Sequence, residues 1–148
     1  MKSTNKSDVI EIVNVLESTQ LHTIIPSGLI DTHTAIASLV NSLSDLPTYP
    51  SSIYVDLEGV NLSRHGSISI LQIHVLPTSK TYLVDVHILK EEAFSTSASN
   101  GHTLKSILES EKIPKAFFDI RNDSDALYSL YGIKVASIWD IQLGARAE

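Results

Sequence analysis

The 148-residue sequence contains no cysteine, and it also lacks any long hydrophobic run. Without cysteine, a disulfide framework and a thiolate metal site are both excluded. No apolar stretch approaches the roughly 18 residues that are needed to cross a bilayer. The N-terminus, Met-Lys-Ser-Thr-Asn-Lys-Ser-Asp, lacks the apolar core of a signal peptide. We therefore expect an intracellular protein, and the sequence does not choose between nucleus and cytoplasm.

Basic residues are few, since 11 Lys and Arg stand against 17 Asp and Glu and leave a formal net charge of −6. This balance argues against a protein that coats nucleic acid with a basic surface. It allows an enzyme that meets nucleic acid through bound cations, because divalent ions in a carboxylate cluster reverse the local charge. The chain has no Gly-x-Ser-x-Gly nucleophile elbow and no glycine-rich phosphate loop, and its histidines show no metal-ligand spacing.

The length predicts a single domain, and a hydrophobic fraction of 43% can build its core. Residues 9–16 fit a strand or a helix equally well. A clearer helix follows Asp31 and Thr32, because its apolar residues recur at intervals of three and four. The remaining pattern predicts strands over residues 53–58, 67–76, 81–86 and 115–120, helices from Thr103 to about Glu109 and from Asn122 to Tyr131, an extended segment over 133–138, and a last helix capped by Asp140.

This order predicts an α/β fold with a mixed sheet: a three-stranded antiparallel meander followed by α-β-α-β, with helices on the faces of the sheet. The turn over residues 61–66 connects the first two strands, and Gly66 is expected to supply an unusual φ there. Gly132 is expected to end the helix before it.

Asp56 and Glu58 lie two apart on a predicted strand, so both carboxylates project from the same face. Tyr54 shares that face, while Val55 and Leu57 point to the other. Two adjacent acids on an apolar strand repel each other, and a hard divalent cation between them would explain their tolerance. A short Asp-x-Glu pattern is common, and acids in solvent or in ion pairs are the alternative interpretation.

Asp123 is the third informative acid. With Asn122 as the N-cap and Asp125 as its capping partner, Asp123 shares the helix face of Leu127 and Leu130. That face is the buried one, so Asp123 should point toward the sheet, where an unpaired charge is costly. A metal ion shared with Asp56 and Glu58 would compensate it. The alternative is an acid placed only to favour the helix dipole.

Several other polar residues carry weaker signals. Asp119 could approach the same cluster but is better explained by a turn, and strand-end acids such as Asp85 are usually structural. Arg64, His65 and Arg121 could touch a phosphate, although exposed loop charges are more often only solvated. His74 and His87 are expected to be structural.

Three segments, in order, resemble the RNase D-like branch of the DEDD 3'-5' exonucleases, and the nearest subgroup is the egalitarian-like and exonuclease-domain-containing proteins. Residues 53–73, beginning Ile-Tyr-Val-Asp-Leu-Glu-Gly, resemble the first motif, and residues 81–86 resemble the third strand. Residues 117–127, Phe-Phe-Asp-Ile-Arg-Asn-Asp-Ser-Asp-Ala-Leu, resemble the second motif. Residues 138–143 resemble the segment that leads into the next helix.

The resemblance implies a ribonuclease H-like fold and two-metal hydrolysis of terminal phosphodiesters in RNA or single-stranded DNA. It assigns catalytic and metal-binding roles to Asp56, Glu58 and Asp123, with two Mg²⁺ or Mn²⁺ ions. Asp56 would bridge both ions, Glu58 would hold one, and Asp123 would hold the other directly or through water. The expected product is a nucleoside 5'-monophosphate.

The family also uses a fourth carboxylate, in a third motif with a nearby Tyr or His, and this sequence stops at Glu148 before that motif. We therefore expect an N-terminal extension over residues 1–28 and a partial exonuclease domain over residues 29–148. An incomplete domain would expose apolar surface and could form a homodimer. Two alternatives are a catalytically inactive relative that binds nucleic acid or protein, and an α/β interaction module unrelated to nucleases.

Overall fold

A computed structural model of the chain describes residues 28–141 and 145–147. Within these ranges one mixed sheet has seven strands in the order β1-β4-β3-β2-β5-β6-β7. The strands are β1 (Leu29–Ile30), β2 (Ile53–Glu58), β3 (Ile70–Val75), β4 (Lys80–Asp85), β5 (Lys115–Phe117), β6 (Ile138–Asp140) and β7 (Ala145–Ala147). The ambiguous segment at residues 9–16 lies outside the described residues.

Strands β2, β3 and β4 form the expected antiparallel meander, with Val55 opposite Ile73 and Tyr82 next in line. Strands β5 and β6 continue the sheet parallel to β2. At the other edge β1 pairs in parallel with β4. The predicted α/β class and the meander are both confirmed.

Five described α-helices pack on one face of this sheet. They are α1 (His33–Leu43), α2 (Val86–Leu89), α3 (Glu92–Ser95), α4 (Leu104–Glu109) and α5 (Ile120–Tyr131). All five contribute side chains to one hydrophobic cluster, which also contains Val55 and Leu57 of β2. Tyr54 points to the opposite face, where it is buried with Ala116 and Ile141. The alternation predicted for β2 therefore holds along the strand.

Helix α5 begins at Ile120, so the prediction of an N-cap at Asn122 is wrong. The predicted strand over 115–120 accordingly ends at Phe117. Asp119, with φ of 54°, makes the sharp change of direction between strand and helix. At the other end Gly132 closes the helix with φ of 66°, as expected for a left-handed C-cap.

The predicted last helix after Asp140 is also wrong. Asp140 is the final residue of β6, and Ala145–Ala147 returns antiparallel to it as β7. The predicted second strand is shorter as well, since β3 covers Ile70–Val75 rather than residues 67–76. A capping preference at Asp140 could not reveal the missing helix, because β6 pairs with both β5 and β7 and this pairing keeps Asp140 extended.

Gly66 allows a close approach of the backbone and does not supply an unusual φ, because its φ is not positive. A Cβ atom at Gly66 would lie 1.9 Å from the carbonyl oxygen of Asn61 and 2.2 Å from that of Val60. Asn61 adopts the positive φ of this loop, at 49°. The turn predicted over 61–66 is present, and its left-handed residue is the asparagine.

Helix α1 begins with the predicted cap, because the Thr32 hydroxyl accepts a hydrogen bond from the backbone N–H of Ala35 at 3.1 Å. We expect Thr32→Ala to lower the free energy of unfolding by about 1 kcal/mol, since it leaves this donor without a side-chain partner. Denaturant unfolding would measure the loss, with Thr32→Ser as the control that keeps the hydroxyl. Equal losses in both variants would contradict a capping role.

Candidate active site

The carboxyl ends of three parallel strands, β2, β5 and β6, meet at one edge of the sheet. The last residue of β5, Phe117, pairs with Val55, so Asp56, Leu57 and Glu58 extend beyond the end of β5. Backbone groups of β2 in this stretch are therefore available to partners other than β5. Helix α5, which follows β5 directly, supplies one such partner.

Asp56 and Glu58 project from the same face of β2, as predicted. Asp56 is half-buried and Glu58 is exposed. Partial burial and the neighbouring Asp56 carboxylate raise the pKa of Glu58 above its usual value. The two acids thus repel each other, which is the condition that a bound cation would relieve.

Asp123 lies in the first turn of α5 with only 5% of its surface exposed. Burial raises its pKa to about 8, and the charges of Asp56, Asp119 and Glu58 act in the same direction. A hydrogen bond from the Leu57 backbone opposes the shift. Asp123 therefore points toward the sheet, as predicted, and shares an electrostatic environment with both acids of β2.

Two buried side-chain atoms among the described residues lack a hydrogen-bond partner, namely Oδ2 of Asp123 and Nε2 of Gln72. Gln72 lies directly across from Asp56 on β3, so both orphaned atoms flank the same stretch of β2. Buried polar atoms normally have partners, and these exceptions require an explanation. An orphaned carboxylate oxygen beside two further carboxylates fits the ligand chemistry of a divalent cation.

The carboxylates are near one another without forming a closed cage. In the described ranges, no three histidine, aspartate or glutamate side chains lie close enough together to hold a single metal ion. Asp56 and Glu58 leave β2 on the face opposite the helices, whereas Asp123 approaches from the helix side. A cation at this edge would therefore be held by no more than two of the described carboxylates.

Asp140 is a site residue whose role the sequence did not reveal. Its carboxylate is 2% exposed and accepts hydrogen bonds from the backbone N–H groups of Asp119 at 3.2 Å and Ile120 at 3.4 Å. It thereby satisfies donors at the start of α5 from the neighbouring strand β6. This contact fixes the end of the helix that carries Asp123.

Asp119 takes part in a turn, as the sequence suggested, and its carboxylate also forms an ion pair with an arginine. Its carboxylate accepts two hydrogen bonds from the Arg121 guanidinium, at 2.8 and 3.0 Å. The side-chain hydrogen bond from Arg121 holds the pKa of Asp119 below its usual value. Arg121 is thus paired with Asp119 at the edge of the sheet that carries the acids.

Arg64 and Asp125 form a contact that the sequence did not indicate. Three groups of Arg64 donate to the Asp125 carboxylate: the backbone N–H at 2.9 Å, Nε at 3.3 Å and a terminal nitrogen at 2.8 Å. Asp125 was expected to act as a capping partner for α5, and it instead binds this loop. The adjacent His65 is exposed.

The remaining candidates have structural contacts. Nδ1 of His74 lies 2.8 Å from the Thr81 hydroxyl, and burial lowers the pKa of this histidine. Asp85 caps α2 by accepting a hydrogen bond from Ile88 N–H at 3.0 Å. His87 lies exposed on the same short helix.

The mixed sheet and its acidic edge agree with the family comparison. A family model described as "3'-5' exonuclease" matches residues 28–148. The chain belongs to this 3'-5' exonuclease family.

Among curated proteins, the piRNA biogenesis protein EXD1 of Mus musculus is 39% identical over 93 residues, which are 63% of this chain and 15% of that protein. The Bombyx mori protein of the same name is 32% identical over 93 residues, 62% of this chain and 27% of that protein. The chain thus spans only about a quarter or less of the length of these relatives.

Solved structures show the same fold. RNase D of Trypanosoma brucei in complex with RNA U12 has a TM-score of 0.62 and 28% identity, covering 77% of this chain and 37% of that one. The EXD2 exonuclease domain soaked in Mg and GMP has a TM-score of 0.55 and 23% identity, covering 78% and 55%, and is a likeness of fold alone. The RNase D-like resemblance that the motifs suggested is confirmed.

The described part of the chain contains no helix that is long and apolar enough to cross a membrane. Among the described residues on the second face of the sheet, Tyr54 and Ala116 do not form the exposed apolar surface that an incomplete domain was expected to have. Tyr54 and Ala116 there are 3% and 2% exposed. The homodimer expected from such a surface stays a prediction without support from this face.

Proposed function

We propose that this chain forms part of a metal-dependent 3'-5' exonuclease that hydrolyses terminal phosphodiesters of single-stranded RNA, with single-stranded DNA as the second possible substrate. The Trypanosoma brucei neighbour bound to RNA and the piRNA biogenesis relatives support RNA. The observation that carries the proposal is the buried Asp123 carboxylate, which has an orphaned oxygen and is coupled to Asp56 and Glu58.

Each carboxylate has a separate role in this proposal. Asp56, at the centre of the trio, would contact two Mg²⁺ or Mn²⁺ ions, while Glu58 would hold one ion and Asp123 the other. When bound, such ions lower the pKa of an attacking water and stabilise the leaving 3'-oxygen. The arrangement does not require all three carboxylates around one ion, in agreement with their approach from two sides of β2.

The chain's own residues hold this constellation in place. The backbone of Leu57 hydrogen-bonds Asp123, and Asp140 secures the start of α5 from β6. These contacts fix the position of Asp123 relative to the strand that carries the other two acids. Preorganised ligands of this kind reduce the reorganisation that metal binding would otherwise require.

Titration with Mn²⁺, followed by the electron paramagnetic resonance signal of the free ion, tests the proposal. We expect Asp56→Asn to weaken Mn²⁺ binding by at least about tenfold, because it removes the charge of the shared ligand. Release of nucleoside 5'-monophosphates from labelled RNA and DNA strands should fall in parallel. The matched control is Asp45→Asn, which neutralises an exposed acid just beyond α1.

The outcomes separate the possible functions. Equal Mn²⁺ binding by the parent chain and Asp56→Asn would remove the proposed site. Mn²⁺ binding that depends on Asp56, without release of any mononucleotide, would favour a catalytically inactive module that binds nucleic acid or protein. Release from RNA and not from DNA would identify the substrate class.

A further inference from the structure

The loop between β2 and β3, residues 59–69, is attached to helix α5 by Arg64. Its backbone N–H, Nε and terminal nitrogen all reach the Asp125 carboxylate, at 2.9, 3.3 and 2.8 Å. We call these three hydrogen bonds the Arg64 clamp. Asp125 stands two residues after Asp123, and the loop begins directly after Glu58. The clamp therefore joins the two elements that carry the proposed metal ligands.

Backbone hydrogen bonds and close packing tie the loop together next to Glu58. The Glu58 carbonyl oxygen accepts a hydrogen bond from Ser69 N–H at 2.8 Å, and that of Val60 accepts one from Ser67 N–H at 2.9 Å. Gly59 lies so close to the opposite side of the loop that a Cβ atom there would be 1.8 Å from the Ser67 carbonyl oxygen. Leu62 packs against the hydrophobic core. Backbone hydrogen bonds, close packing and a core contact therefore constrain the segment between Glu58 and Arg64.

We infer that the Arg64 clamp positions Glu58 relative to Asp123, and that Arg64 and Asp125 are positioning residues for the metal site. This inference rests on the proposed function and extends it to two residues outside the acidic trio. Arg64 is 62% exposed at its side chain and forms the clamp without deep burial. The forked geometry of the Arg64 guanidinium, rather than its charge alone, suits the two oxygens of the Asp125 carboxylate.

Electrostatics and positioning predict opposite results when Arg64 loses its charge. Removing a positive charge near a cation site should strengthen cation binding if charge alone matters. Removing the clamp should weaken binding, because Glu58 and Asp123 are then less well placed. Weaker binding after Arg64→Gln therefore identifies positioning, which a change of charge cannot imitate.

Mn²⁺ affinity is the first measurement. We expect Arg64→Gln and Asp125→Asn each to weaken binding about three- to fivefold, in keeping with an exposed but bidentate ion pair. Arg64→Lys keeps the charge, loses the fork, and should give an intermediate value. The matched control is Arg121→Gln, which removes an exposed arginine whose partner Asp119 lies two residues before it in the chain. Its affinity should be unchanged or higher.

A second measurement tests the clamp without any metal. Because the chain has no cysteine, His65→Cys and Ser129→Cys place two spin labels at exposed positions on the loop and on α5. The distance distribution between the labels should be narrow in the parent background and broader with Arg64→Gln. Circular dichroism and thermal unfolding would show that the double-cysteine variants retain the fold.

Each outcome decides the inference. A broader distribution together with weaker Mn²⁺ binding supports it. An unchanged distribution overturns the clamp, and a broader distribution with unchanged or tighter binding overturns its positioning role. If the parent chain binds no Mn²⁺ at all, the proposed function has failed, and with it the role assigned to the clamp. The parent measurement distinguishes that case from failure of the clamp alone.

Discussion

Replacing Asp123 with asparagine is expected to stabilise the metal-free protein by on the order of 3 kcal/mol at pH 7 to 8, and to abolish the metal-dependent activity that we propose for it. The stabilisation follows from burial of the carboxyl group, which raises its pKa from 3.8 to about 8. Asparagine has nearly the same shape and can still accept the Leu57 hydrogen bond. It carries no charge to desolvate and none to repel Asp56.

The pH dependence gives this prediction a definite sign. A carboxyl group whose folded-state pKa is raised favours the folded state fully only below its unfolded-state pKa. The contribution is lost progressively between pH 3.8 and about 8. The difference in stability between Asp123→Asn and the parent should therefore be small at pH 4 and increase up to pH 8. Urea unfolding at several pH values would measure it.

Asp125 provides the control on the same helix. Hydrogen bonds from the side chain and backbone of Arg64 hold the pKa of Asp125 below its usual value. Asp125→Asn should therefore destabilise the protein at neutral pH, and this loss should disappear in acid. If both asparagine variants responded to pH with the same sign, the assignment of Asp123 as the destabilising acid would be wrong.

Metal ions should reverse the order of stability. A bound cation favours the ionised form of Asp123, so excess Mn²⁺ should stabilise the parent chain through mass action. Asp123→Asn lacks this proposed ligand and should gain much less. A variant that is more stable without metal and less active with it is the behaviour expected when a strained buried charge serves a site rather than the fold.

Local sequence patterns were sufficient for much of the fold. The spacing of Ile36, Leu39 and Leu43 specified α1 because a buried helical stripe has one period, and all three are buried. Alternation along β2 placed Val55 in the core and Asp56 on the other face for the same kind of reason. These predictions depend only on which side of one element is apolar.

Contacts between distant residues were outside the reach of such patterns. Helix α5 begins earlier than predicted because Asp140 supplies hydrogen-bond acceptors from another strand. Asp125 matched a local capping pattern, yet Arg64 offers it three hydrogen-bond donors. In both cases a long-range partner replaced the local one, and a single sequence contains no signal for that replacement.

The three acids show the same contrast between local patterns and contacts between distant residues. Strand alternation placed Asp56 and Glu58 together, and helix periodicity directed Asp123 toward the sheet. Neither pattern could show that β5 ends opposite Val55, which exposes the backbone of Leu57 to Asp123. The register between strands determines where Asp123 meets β2, and register is a property of the assembled sheet.

Lys115 is a buried cation that no sequence motif indicates, and its substitution is expected to have the second large effect. It begins β5 with 0% exposure, at the end of that strand away from the acidic edge. Its ammonium group donates to the carbonyl oxygens of Ile107 at 3.0 Å and Ser110 at 2.8 Å. It thereby satisfies acceptors at the C-terminus of α4 and ties that helix to the sheet.

Burial lowers the pKa of Lys115 from 10.5 to about 8. Between these values the unfolded chain binds the proton more strongly than the folded one, so the stability of the parent should rise as pH increases through this range. Lys115→Met keeps the apolar stem and has no proton to lose. The stability of the parent relative to Lys115→Met should therefore increase by about 3 kcal/mol between pH 7.5 and pH 10.5.

Denaturant unfolding of both proteins at the two pH values would measure this change. The contribution of other groups that titrate in this range is common to both proteins and cancels in the difference. Lys112→Met is the matched control, because Lys112 is exposed in the segment just before β5. A relative stability that is independent of pH would mean that the Lys115 ammonium is solvated as well in the folded chain as in the unfolded one.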